Sequence, residues 1–219
     1  VLMGYHQTRF QHDARRTIIW REIVRYLERR VPLGEMVLDV GCGYGEFINN
    51  VRSKNRFALD RNPEMEKYLE PGVSFLAADA LAAGGSFPPA TFDFIFSSNL
   101  LEHLEREEIG RLLGDIHTLL KPGGHVGILM PNYRLAVRQY FDDYTHKTPV
   151  SDVALSDWLE SEGFEVVLLK PGFMPYSLKR SRLPVNSVLV RCWLWSPVKP
   201  GAGQMLIVAR RLGHPGLRE

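Results

Sequence analysis

Apolar residues recur along this chain in two rhythms. In one they return every three to four positions: Ile19, Trp20, Ile23, Val24 and Leu27 within residues 13–30, and Ile109, Leu112, Leu113, Ile116, Leu119 and Leu120 within 105–120. That spacing collects the apolar side chains on one face of an amphipathic helix. The other rhythm is a short apolar run, seen at Met36–Val40, Arg56–Asp60, Val73–Ala77, Phe92–Ser97, Val126–Met130, Glu165–Leu169 and Met205–Ala209. Runs of this length between Gly, Pro, Asn or Asp predict buried strands. Pro32 and Gly34 end the first helix, and Lys121-Pro-Gly-Gly124 ends the second and turns the chain. Further helices are predicted from the Gly41–Gly45 segment to about Val51, and from Asn62-Pro63, where proline occupies the first turn. Another should run from the capping residue Ser151 to about Glu162, closed by Gly163. Gly84 to Pro89 reads as a loop.

Strands that alternate with helices predict parallel pairing in a sheet covered on both faces. The expected fold is α/β, a doubly wound, Rossmann-like, seven-stranded and mostly parallel sheet. The long loop-rich stretch 171–203 replaces a crossover helix before the last run, so the terminal strand should be antiparallel, at or near an edge. At 219 residues the chain fits one domain (1–219). Within it, 1–34 should form a helical cap, and 132–150 and 171–203 insertions on the substrate side.

Composition narrows the classes. Hydrophobic residues make up 45% and charged residues 24%, an ordinary globular mixture. No apolar run reaches the roughly 18–20 residues that span a bilayer, and VLMGYHQTRFQHDARR does not read as a signal peptide. Cys42 and Cys192 lie too far apart in sequence to suggest a disulfide framework or a metal site. A cytoplasmic protein without stable membrane insertion is expected. The formal charge of +2 gives no argument for nucleic acid. It is unevenly spread: residues 170–219 carry nine basic residues against one acidic, and seven arginines fall within 1–30. Solvated faces are the plain explanation; attraction of an anionic substrate is the sharper one.

The candidate chemistry lies at predicted strand ends, where open α/β sheets bind ligands. Gly41, Gly43 and Gly45 follow the first strand and leave backbone amides accessible. Asp60 ends the second strand at the place where a carboxylate meets ribose hydroxyls. Asp79 ends the third, where it can accept from an adenine amino group, and Asn99-Leu100 follow the fourth. The glycines are spaced G-x-G-x-G rather than G-x-G-x-x-G, and Asp39 precedes them. An acidic group there suits a cationic ammonium better than a diphosphate. The ligand should combine adenosine with a positively charged amino-acid end.

With VLDVGCGYGEF (37–47), ALDRNPEM (58–65), FLAADAL (75–81), FDFIFSSNLLEHL (92–104) and LLKPGGHVGILMPN (119–132), the chain resembles the class I S-adenosylmethionine (SAM)-dependent methyltransferases over nearly its whole length. The resemblance implies SAM as cofactor, S-adenosylhomocysteine as product, and a pocket formed by Asp39, Gly41, Cys42, Gly43, Gly45, Asp60, Arg61, Asp79, Ala80, Asn99 and Leu100. RTIIWREIVRYL, Asn49-Asn50, YFDDYTHKTPVS and the C-terminal segment are similar to a bacterial small-molecule subgroup often encoded beside glycosyltransferases.

Methyl transfer to a hydroxyl needs alignment and proton removal. The stretch 132–150 carries Tyr133, Arg134, Arg138, Tyr140 and Tyr144, side chains suited to hold a small polar acceptor, sugar-containing or phosphate-bearing. In the same stretch His146 is the candidate base and Asp142 or Asp143 would orient it. His103, just past the fourth strand, competes for the role. One histidine beside two adjacent carboxylates is a thin donor set, and no metal is expected. Pro184–Pro197 is open to use as an interior helix, a homodimer face or a patch meeting a lipid-linked substrate, with interior packing the default. Other readings are a nicotinamide oxidoreductase, a SAM-binding regulator or scaffold without catalysis, an RNA methyltransferase, and a methyltransferase acting on an amine or carbon.

Overall fold

A computed structural model describes residues 14–176 and 185–213. Residues 1–13 of the expected helical cap, 177–184 of the second insertion (Lys179, Arg180 and Arg182 among them) and 214–219 lie outside the described residues.

Seven strands form one sheet: β1 (Met36–Val40), β2 (Asn55–Asp60), β3 (Val73–Ala77), β4 (Phe92–Ser98), β5 (Leu120–Pro131), β6 (Phe164–Pro175) and β7 (Ala202–Arg211), in the spatial order β3-β2-β1-β4-β5-β7-β6. The first five pair in parallel, and β7 runs antiparallel to both β5 and β6. The antiparallel expectation for the last strand therefore holds. It lies one place in from the edge, because β6 takes the outer position.

The helices are α1 (Ala14–Glu28), α2 (Ala83–Ser86), α3 (Arg106–Leu119), α4 (Tyr133–Ala136), α5 (Asp152–Ser161) and α6 (Ser187–Trp195). On one face, Ile109, Leu112, Leu113 and Ile116 of α3 and Leu155 and Leu159 of α5 pack on Leu38, Ile95 and Ile128. On the other, Ile19, Ile23 and Leu27 of α1 and Leu194 of α6 pack on Phe94, Phe96 and Leu129. Each expected apolar stripe is thus buried against the sheet, where burial contributes roughly 25 cal/mol per Å² of apolar surface. Gly127 makes room for this packing: a Cβ there would come within 2.8 Å of the Phe94 ring and 2.9 Å of Phe96.

Four local expectations change. The stretch expected as a loop from Gly84 to Pro89 begins inside α2, which holds Gly84 to Ser86. After the glycine segment there is no α-helix to Val51, only a 3-10 turn over Ile48–Asn50. The asparagine side chains compete with a helix: Asn49 Nδ2 donates to the Tyr68 carbonyl at 2.8 Å, and Asn50 Nδ2 donates to the Glu46 carbonyl at 2.8 Å. The helix expected from Asn62-Pro63 is also 3-10, over Pro63–Tyr68, with Asn62 Oδ1 accepting from the Glu64 amide. Lys121–Gly124 is drawn into β5, whose register with β4 shifts between Phe92 and Phe94. Ser151 caps α5 as expected, its hydroxyl accepting from the Ala154 amide.

Candidate active site

The sheet order reverses between β1 and β4: β2 and β3 extend to one side of that pair, β5 and β7 to the other. Such a switch point leaves a crevice beyond the strand ends. The tip of β1 is a tight loop, with Gly41, Gly43 and Gly45 at φ 73°, 50° and 70°. Side chains rarely adopt these angles, and a Cβ on Gly45 would fall 2.5 Å from Leu69 Cδ2. The Gly41 and Cys42 amides donate to the Leu59 carbonyl at 2.8 and 3.1 Å, fastening the loop to β2. Asp60 completes the fastening: Oδ2 accepts from the Gly43 amide and Oδ1 from the Asn62 amide, both at 2.9 Å. Each carboxylate oxygen has a second lone pair, so Asp60 retains capacity for diol hydroxyls.

Asp79 is exposed at the end of β3 and opens the Ala80–Ala82 turn by accepting from the Leu81 amide at 2.9 Å. Beyond β4, Asn99 takes φ 50°, an uncommon angle for a non-glycine residue. Its amide donates to Leu129 and its side-chain oxygen accepts from Gln204 Nε2 at 3.2 Å. Leu100 faces the glycine loop; a Cβ on Gly41 would approach it to 3.3 Å.

Electrostatics at the β1 tip favour a cation. Asp39 is only 3% exposed. Burial, followed by the charges of Glu46 and Asp60, holds its carboxyl well above the usual range, against the opposing pull of the Ile48 amide. Glu46 already pairs with Arg16, whose Nη2 donates to Oε2 at 2.9 Å, so a positive group arriving here would chiefly relieve Asp39 and Asp60. The Cys42 thiol is pushed up by burial and by Asp39 and Asp60, which leaves it unreactive.

Past β4 the chain forms a second centre. The 3-10 turn Leu101–His103 and the loop 140–148 are stitched together. The Lys147 and Thr148 amides donate to the Glu102 carbonyl at 2.8 and 3.3 Å, and Thr148 Oγ1 donates to the Leu104 carbonyl at 2.7 Å. His103 and His146 then face each other edge-on, with ring centroids 4.9 Å apart, and Tyr140 lies 4.8 Å from His146. Asp143 Oδ1 accepts from Thr145 Oγ1 at 2.6 Å, and that hydroxyl lies 3.0 Å from His103 Nδ1. Burial, then the neighbouring His146, lowers the His103 pKa and favours its neutral form.

Between the histidines and the core lies Glu102, 1% exposed, its Oε2 without a hydrogen-bond partner. Burial pushes its carboxyl up to about 8, helped by the charge of Asp143. Glu102, His103 and His146 each place one ligand atom within 4.8 Å of the others, close enough to surround a cation.

The structure thus joins His103, His146 and Asp143, while Asp142 is exposed. Tyr133 reaches the centre by edge-on packing against Tyr140, at 5.2 Å. Tyr140 is fully buried and donates its hydroxyl to the Thr148 carbonyl at 2.7 Å, so it forms the floor of the site rather than an acceptor contact. Arg134 pairs instead with Asp152 at 3.5 Å, and Arg138 and Tyr144 are exposed. Glu102 escaped the sequence argument, although a carboxylate directly before His103 in the apolar run LLEHL was a visible signal. Asn132 escaped it too: wholly buried, it donates to Asp152 at 2.9 Å and to the Pro171 carbonyl at 3.1 Å, tying the start of the loop to α5 and β6.

A family model described as a methyltransferase domain matches residues 10–169. The chain belongs to that family. Phosphoethanolamine N-methyltransferase 1 of Triticum aestivum is 28% identical over 182 residues, which cover 76% of this chain and 36% of that protein. Sterol 24-C-methyltransferase of Eremothecium gossypii is 25% identical over 170 residues, or 70% of this chain and 43% of that protein. The chain therefore spans less than half the length of these two curated relatives. Among solved structures, a SAM-dependent methyltransferase from Archaeoglobus fulgidus superposes with a TM-score of 0.68 at 24% identity, covering 94% of this chain and 97% of that one. The methyltransferase fold explains the strand order, and the carboxyl groups of Asp39 and Asp60 at the β1 tip fit SAM, whose ammonium and sulfonium are both cationic. Among the described residues no helix is long and apolar enough to cross a membrane.

Proposed function

We propose that this chain moves the methyl group of SAM to a hydroxyl of a small polar acceptor, sugar-like in character, with His146 as the base. When bound, SAM supplies a methyl carbon already activated by its sulfonium, so the protein's task is alignment and proton removal. Asp60 and the glycine loop would orient the nucleoside, Asp39 would balance the cationic end, and Asp79 would meet adenine. The observation that carries the acceptor reading is the Glu102–His103–His146 cluster beside the tip of β4. Within it the Asp143–Thr145 pair holds His103 in place. His146 accepts the hydroxyl proton, and above about pH 8, where Glu102 has released its own proton to solvent, its carboxylate would stabilise the resulting imidazolium. Tyr133 provides an aromatic wall.

An amine acceptor is the second reading, favoured by the similarity to the phosphoethanolamine N-methyltransferase, and it would need His146 less. The test is His146→Ala with saturating acceptor. A hydroxyl acceptor predicts a fall in kcat of about 10²–10⁴-fold with unchanged affinity for S-adenosylhomocysteine. Near-normal turnover would reject the base assignment. In the same assay a chelator should leave turnover unchanged, because the proposed base needs no cation.

A further inference from the structure

A second cavity, of about 690 Å³, lies away from the histidines, between the end of α1, the end of α6 and the strands β6 and β7. Arg30, Lys170 and Lys199 line it, and no carboxylate does. Among the described residues none of these three cations forms an ion pair, although eight other basic side chains do. Arg30 and Lys199 are held in place by rings rather than by counter-charges. The Arg30 guanidinium sits 4.9 Å from the Tyr26 ring centroid and 4.7 Å from that of Trp195, and Lys199 Nζ lies 5.0 Å from that of Phe173. The turn that presents Lys199 is closed by the Ala202 amide donating to the Lys199 carbonyl at 3.1 Å.

A second observation points the same way. Tyr26, which also lines the cavity, is 2% exposed, and its hydroxyl is buried without any hydrogen-bond partner. Buried hydroxyls are rarely left unmatched, and this one has a donor to offer. Like charges are normally kept apart unless something compensates them. Here burial, then the charges of Lys170 and Arg30, brings Lys199 down to about 8.

We infer that this cavity binds a phosphoryl group, with Arg30, Lys170 and Lys199 neutralising its charge and the Tyr26 hydroxyl donating to one of its oxygens. Arginine and lysine together are suited to that geometry, the one as a planar fork and the other as a point charge. A phosphoester fits better than a carboxylate, because three cations and a phenol exceed what one carboxylate can satisfy. The short helix α4 serves both sites: Tyr133 packs on Tyr140 at the histidine cluster, and Leu135 lines the cavity. The assignment stands whether or not His146 is the base, since no residue is shared.

The test uses the full chain and inorganic pyrophosphate as the probe, titrated by calorimetry at constant ionic strength. Saturable binding to the wild type is expected, weakened at least tenfold in Lys199→Gln and severalfold in Tyr26→Phe, with unchanged affinity for S-adenosylhomocysteine in both. Tyr26→Phe keeps the ring that Arg30 packs on, so folding is not in question there. Vesicles containing phosphatidic acid form the second arm. Vesicle binding that pyrophosphate displaces assigns the phosphoryl group to a lipid headgroup; pyrophosphate binding without vesicle binding assigns it to a soluble phosphoester. Either result upholds the site. Absence of pyrophosphate binding, or equal binding by both variants, overturns it while leaving the methyl-transfer reading untouched.

Discussion

Glu102 shows how much one side chain can alter a site. A carboxyl sealed from water and lacking a partner for Oε2 keeps its proton well into the range where an ordinary glutamate is ionised. Its folded-state value of about 8 lies above its ordinary 4.5. Between those limits the native state holds a proton that the unfolded chain has released. Stability is therefore greatest below the unfolded value and declines as pH rises towards the folded one, by up to about 1.4 kcal/mol per pH unit from this group. Glutamine preserves the shape without the proton equilibrium. Denaturant melts at pH 6 and 8.5 should show a smaller loss for Glu102→Gln than for the wild type; equal losses would mean that Glu102 is solvated and ionised. The same residue marks a limit of sequence reasoning. His103 and His146 were both visible as candidates, but their approach to 4.9 Å depends on hydrogen bonds between segments about 40 residues apart, which no local pattern encodes.

Elements were readable where their apolar period was strong. The faces of α1 and α3 and the runs of β1 and β3 lie where the pattern put them, because burial against a sheet enforces that period. The segment after the glycine loop departs from the helix expected because Asn50 takes up the Glu46 carbonyl that a helix would need, while Asn49 is drawn across to the Tyr68 carbonyl. The partnership of α1 with α6 was not readable either. It is closed by Glu22, whose side chain is 2% exposed and meets Arg25 at 2.7 Å and Arg191 at 3.2 Å. Burial alone would raise its pKa, but the two guanidinium groups outweigh that and hold it below the ordinary value. A lowered folded-state pKa contributes stability that is present above the unfolded value of 4.5 and lost as pH falls through the folded one. Glu22→Gln should therefore cost about 1–2 kcal/mol at pH 7, with little difference from wild type near pH 3. Thermal melts at the two pH values measure it, and an equal deficit at both would assign the loss to packing instead of charge.

At the scale of the whole molecule, the sheet order sets four separate strand tips side by side. Asp39, Asp60, Asp79 and Asn99 are 60 positions apart at the extremes, yet β3-β2-β1-β4 are consecutive neighbours in the sheet. That convergence was legible in outline, since each tip carried its own signal. The placement of β7 between β5 and β6 was not, because it depends on long-range pairing. A ligand that bridges the tips binds only the folded state, so it must stabilise the entire sheet. At one hundred times its dissociation constant the gain is about 2.7 kcal/mol. For a domain of this size that corresponds to a rise in Tm of roughly 5–10 °C. S-adenosylhomocysteine should give this rise and NAD should not. Asp60→Ala should lose more than half of it, because both the diol contact and the pin on the Gly43 and Asn62 amides disappear together. Were the variant to respond as fully as the wild type, the glycine loop would not need its carboxylate anchor. The nucleoside would then have to rest on β3 and β4 without the first two strands.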